Sequence, residues 1–126
     1  MKLQLSFLVV LVLLCLSCRQ HRCDSSVSYP LHVDLQESYG HSAVRMYVDG
    51  SMVYDALTTS NHALGLAGGV VADLAPGRHE LRVIVDNRDS ASVSFPVGSE
   101  LYIGVGHSVS TGEVRFDVTD RAFVYE

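Results

Sequence analysis

The feature that most constrains this chain is an alternation of apolar and polar residues that begins after Pro30 and runs almost to the end. Leu31, Val33 and Leu35 alternate with His32 and Asp34, and Val44, Met46 and Val48 alternate with Arg45, Tyr47 and Asp49. A period of two puts one set of side chains on each face of an extended strand, whereas a helix needs a period near 3.6. The pattern returns in Met52–Asp55, Val70–Leu74, Leu81–Val85, Ala91–Val97, Leu101–Val105 and Val114–Val118. Between these runs stand turn formers: Asp49-Gly50, a hairpin signal, then Ala75-Pro76-Gly77, Asp86-Asn87-Arg88-Asp89, Gly98 and Gly112. Phe123 to Tyr125 is read as a last strand closing the sheet. The chain is therefore predicted to be all-β, with eight or nine short strands spaced by about 8–12 residues and no helix. Two inner faces have to bury each other, so residues 30–126 are assigned to a single antiparallel β-sandwich. A domain of roughly 95 residues buries roughly 65% of its unfolded surface, enough to stand without disulfides or metal.

Ahead of the domain the pattern changes. Met1-Lys2 gives a positive start, and the run from Leu3 to Leu16 is interrupted only by Gln4 and Ser6 before Ser17-Cys18. A membrane-spanning helix needs roughly 20 apolar residues, more than this run supplies. Positive start, apolar run and small-residue end are the marks of a secretory signal peptide. The segment Cys15-Leu16-Ser17-Cys18 resembles the lipobox of bacterial lipoproteins. That resemblance implies cleavage after residue 17 and lipidation of Cys18, with a membrane as partner through the lipid anchor. Acyl chains add about 0.8 kcal/mol per buried CH₂, so several of them hold a protein durably. In such lipoproteins an Asp after the cysteine favours retention at the inner membrane. Arg19 stands here instead, which implies the outer one in a cell with two. Residues 18–29 are polar and without period and read as a spacer. Cys23 lies within it, alone once Cys18 is lipidated, and cannot form an internal disulfide.

Charge narrows the partners. The formal net charge is −5, and removal of Lys2, the sole lysine, makes the remainder more acidic still. No basic run is left to neutralise phosphates, which argues against nucleic acid and against docking on anionic headgroups.

Two segments carry a further resemblance. Leu74-Ala75-Pro76-Gly77-Arg78-His79-Glu80-Leu81-Arg82-Val83 resembles the turn and strand of bacterial immunoglobulin-like modules, and Val44-Arg45-Met46-Tyr47-Val48-Asp49-Gly50 resembles the opening of PEGA-like domains. Here an additional stretch, Ala56 to Gly69, stands between them. The resemblance implies that the sandwich of residues 30–126 is an immunoglobulin-like antiparallel β-sandwich, a small extracellular β-module of the adhesion, spacer or assembly kind, an analogy at the level of fold. It carries no catalytic residue across. The expectation is a non-enzymatic interaction or structural module whose partner is an envelope protein or a glycan, with no cofactor.

Candidate chemistry is sparse. Gly104-Val105-Gly106-His107-Ser108-Val109-Ser110 approaches the G-x-S-x-G nucleophile elbow, but an elbow turns a strand into a helix and these residues read as a turn into another strand. Of six histidines, none are paired at metal-ligand spacing. His79 sits at the strand start of the resembling motif, where a structural role is expected, and His21 lies in the spacer. A site joining His41, His62 and His107 needs three separate loops. Asp86-Asn87-Arg88-Asp89 lacks the spaced acids, glycine and distal Glu of a calcium loop. The glycine-rich Leu64 to Gly69 does not lead from a strand into a capped helix, so it is no phosphate cradle. It does continue Thr58-Thr59-Ser60-Asn61-His62, the longest polar connection, and loops on a rigid sandwich are where binding groups are mounted. Asn61 and His62 on that loop are ligand-binding candidates. Tyr39, Tyr47 and Tyr54 are candidates for a flat aromatic surface suited to sugars or protein.

Overall fold

The computed structural model describes residues 27–36, 39–61, 63 and 65–125. The leader, Cys18, Cys23, most of the spacer and His62 lie outside the described residues. Each alternating run forms a strand: β1 Tyr29–Leu35, β2 Ser42–Val48, β3 Ser51–Thr58, β4 Gly68–Leu74, β5 Gly77–Val85, β6 Asp89–Val97, β7 Leu101–His107 and β8 Val114–Thr119. They build two four-stranded sheets, one in the order β4-β1-β7-β8 and the other β3-β2-β5-β6. The inward series interdigitate as one core, with Leu31, Val33, Leu35, Ile103 and Val105 from the first sheet against Val44, Met46, Leu81, Val83, Val85 and Phe95 from the second. Each such aliphatic side chain contributes about 1.5–3 kcal/mol relative to its exposed state.

The fold is an all-β sandwich, with two departures from expectation. β1 pairs with β7 in parallel, although every other pairing among the described strands is antiparallel. The strand order also differs from the ABED and CFG sheets of an immunoglobulin domain, so the likeness is one of layers. Phe123 to Tyr125 forms no strand. It lies back on the first sheet, where the Tyr125 hydroxyl donates to Asp34 Oδ2 at 2.9 Å.

Turn chemistry matches the strands it joins. Asp49 and Gly50 have φ of 50° and 82°, and Asp86 and Asn87 have φ of 54° and 52°. Two successive positive φ values define the type I′ turn, whose twist suits a tight hairpin. Both prolines within strands sit where a lost N–H is tolerated. Pro30 precedes Leu31, the first residue to pair with β7, and Pro96 lies on the edge strand β6. Because β1 already begins at Tyr29, paired with Leu74, the last residue assigned to the spacer belongs to the sandwich.

The two motif segments meet at one end. Asp49 Oδ1 accepts from Glu80 N at 2.9 Å, and its Oδ2 accepts from His79 Nδ1. His79 Nε2 donates to Ala75 O at 2.7 Å. Serving a carboxylate and a carbonyl at once requires a proton on both ring nitrogens. The Asp49 hydrogen bond, then that to Ala75, raise the His79 pKa above its ordinary value, and the same His79 bond lowers that of Asp49. His79 is thus a structural staple, as its position in the motif implied.

The registers also fix two poles. β1, β3, β5 and β7 run one way, and β2, β4, β6 and β8 return. Tyr29, where the chain arrives from the spacer, lies at the pole holding Asp49-Gly50, Pro76-Gly77 and Gly98-Ser99. The opposite pole gathers the β1–β2 connection, residues 59–67, Asp86–Asp89 and the β7–β8 hairpin.

Candidate functional site

The distal pole holds the most unusual chemistry among the described residues. In β7 the inward series Ile103, Val105 continues to residue 107, so a histidine occupies a core-facing place at the strand end. His107 is 5% exposed. Its Nε2 reaches across to the other sheet and lies 2.9 Å from Asp89 Oδ2 at the start of β6. Asp89 is also held by Arg88, through Nε at 3.2 Å and Nη2 at 3.3 Å. The bond to His107, then that to Arg88, lower the Asp89 pKa below the usual carboxylate range. A Cβ at Gly112, whose φ is +72°, would stand 2.7 Å from Asp89 Oδ1. Both the φ and the close approach require glycine there.

Asp89 is an acceptor, so the His107 nitrogen that faces it, Nε2, carries a proton. Nδ1 is buried and has no hydrogen-bond partner. Such a group costs about 1–3 kcal/mol, and native structures hold few of them. Tyr39 covers the ring, with centroids 5.9 Å apart and planes inclined by 25°. The Tyr39 hydroxyl donates to Val105 O at 2.9 Å. Burial, then the Tyr54 phenol, push its pKa above the ordinary phenol value, so it remains a donor.

Beside this pair opens a cleft of about 530 Å³, lined by Tyr39, Gly40, Thr59, His107, Ser108, Val109, Ser110 and Arg115. Small-molecule sites span about 300–1,000 Å³. The rim is set by local backbone bonding: Ser108 N donates to Glu113 O at 2.9 Å, and Gly112 N to Ser108 O at 2.8 Å. Ser108 therefore starts a hairpin, as the sequence implied, and no nucleophile elbow forms. Its Oγ lies 3.2 Å from Ser110 Oγ, while His107 turns its Nε2 to Asp89.

Among the described residues, which exclude His62, those singled out in the sequence are not brought together. Asn61 lies at the same pole and is exposed, but it does not line the cleft. Its Oδ1 accepts from Ala63 N at 3.0 Å, its backbone N donates to Leu66 O at 3.1 Å, and its O accepts from Gly65 N at 2.9 Å. Asn61 thus builds its loop. Ser60 staples that loop to the β1–β2 connection, its N donating to Tyr39 O at 2.7 Å and its Oγ accepting from Tyr39 N at 2.8 Å.

The tyrosine surface does not form either. Tyr39 is 1% exposed, in the core. Tyr47 pairs with Met52 and Arg82 on the outer face, while Tyr54 pairs with inward-facing Met46. A bulge between Met46 and Tyr47 inserts Val53 as an extra residue and reverses the faces of β3. The Tyr54 hydroxyl instead bonds Thr58 Oγ1 at 3.0 Å. Asp86 and Asp89 are likewise engaged in local hydrogen bonds, the first with Ala43 N at 2.8 Å. No group of three or more His, Cys, Asp and Glu placed to hold a metal occurs among the described residues.

Sequence reasoning missed the His107–Asp89 pair. Its signal was a polar residue in phase with the apolar series of β7.

A smaller cluster lies on the outer face of the first sheet. His32 stacks on Tyr102 with centroids 4.5 Å apart, and Glu100 Oε1 bonds both His32 Nε2 at 2.6 Å and the Tyr102 hydroxyl at 3.1 Å. Each ring covers one face of the other. In comparisons with known proteins, no family model matches the chain and no curated protein matches it.

Proposed function

We propose that this chain is an exported, lipid-anchored, non-enzymatic binding module whose ligand site is the cleft at the pole away from the anchor. The observation that carries the reading is the opposition of the two poles. The spacer joins the sandwich at Tyr29, and the cleft lies past the other end of β1, beside His107. At about 3.3 Å per residue, a strand of this length separates the poles by about 20 Å. A chain held at Cys18 therefore turns its cleft outward. A binding role is supported by the commitment of the cleft's side chains: His107 holds Asp89, and Ser108 bonds Ser110, so neither cleft serine is hydrogen-bonded to a base among the described residues.

Radiolabelled palmitate and cell fractionation test the address. Wild type is expected in the membrane fraction, labelled and shortened by its leader, and Cys18→Ala unlabelled. Recovery of unlabelled, full-length wild type from the cytosol would refute the reading.

A further inference from the structure

We propose that the distal cleft binds acidic sugars, that is, hydroxylated rings bearing a carboxylate; this deepens the binding-module reading and rests on it. Three observations converge on that chemistry. First, the cleft is lined by the hydroxyls of Thr59, Ser108 and Ser110 and by the Arg115 guanidinium, with no carboxylate in the lining of a chain whose net charge is −5. An anion is admitted there, where the rest of the molecule repels it. Second, the Arg115 side chain is 71% exposed and its Nε stands 3.9 Å from Glu113 Oε2, a loose contact that leaves the planar fork open. Guanidinium recognises carboxylate with two parallel hydrogen bonds. Third, His107, which lines the same cleft, carries a buried Nδ1 without a hydrogen-bond partner.

A carboxylate held by Arg115 is spent there and leaves the buried nitrogen without a partner. A ligand hydroxyl, which both donates and accepts, suits that nitrogen, and the serine and threonine hydroxyls both give and accept bonds to its neighbours. Ring hydroxyls and a carboxylate on one small molecule meet both demands. Gly40 borders the cleft and a Cβ there would meet nothing within 4 Å, so the cleft is open on that side.

Saturation-transfer NMR on the full-length protein in detergent tests this, with galacturonic and glucuronic acids set against galactose and glucose. The acids are expected to receive saturation and the neutral sugars far less. Arg115→Ala, at an exposed position, is expected to weaken binding of the acids by about 10-fold or more while leaving the melting curve unchanged. Ser110→Ala is expected to weaken it less. No transfer to the acids, equal transfer to the neutral sugars, or full binding by Arg115→Ala each overturns the proposal. The palmitate experiment is independent of it, so a module that is anchored yet binds no acidic sugar refutes the ligand and leaves the address standing.

Discussion

Tyr54 offers a direct test of the bulge that reverses β3. A Cβ at Gly68 would stand 2.8 Å from the Tyr54 hydroxyl but 3.7 Å from Cζ, the next atom. Gly68→Ala therefore forces the hydroxyl aside and strains its bond to Thr58, an overpacking cost of about 1–3 kcal/mol. Against this, replacing glycine reduces the freedom of the unfolded chain and returns about 0.4–1 kcal/mol. The single variant should lose between about 0 and about 2.6 kcal/mol, the difference of those ranges. Tyr54→Phe alone gives up one hydrogen bond, about 0.5–1.5 kcal/mol. In the double variant the obstacle is gone, and the added methyl meets only an ordinary van der Waals neighbour. The two changes should then couple favourably by about 1–3 kcal/mol. For a domain of this size that is roughly 4–8 °C of melting temperature per kcal/mol. Urea and thermal unfolding of the four proteins in the cycle measure it. Effects that add within about 0.5 kcal/mol would place Tyr54 away from Gly68, and the inward assignment would fall.

The staple at the opposite pole makes stability depend on pH. His79 has a raised folded pKa, so its contribution is full below about 6.5 and fades as pH rises through the folded value; that of Asp49, whose pKa is lowered, fades as pH falls through its own. Wild type should therefore exceed His79→Gln in unfolding midpoint at pH 5.5 by more than at pH 9, and an unchanged gap would contradict the staple. At the β5–β6 hairpin, Asn87→Val places a branched residue at a φ of 52°. A loss of about 1–2 kcal/mol is expected in the same unfolding assay.

Much of the fold was legible from residues alone because a period of two is a local property. All eight strands coincide with alternating runs, and Asp49-Gly50 and Asp86-Asn87 turn where their chemistry says they should. The candidate site was far less legible. Tyr47 and Tyr54 stand an odd number of residues apart, and which face each takes depends on where a strand is bulged. Alternation cannot report that, since a single extra residue reverses every face beyond it. Asn61 was singled out for polarity and exposure, and alternation could not report that its Oδ1 and backbone groups bond Ala63, Leu66 and Gly65 within the loop.

What the sequence determined by itself is the kind of architecture: extended segments with one greasy face each, which water drives into two layers. Which strands become neighbours was decided only in three dimensions. The parallel pairing of β1 with β7, and the approach of Asp89 to His107 across the two sheets, join residues from different hairpins. Their cause lies in the packing of whole sheets, where burial and the pairing of polar groups are satisfied together.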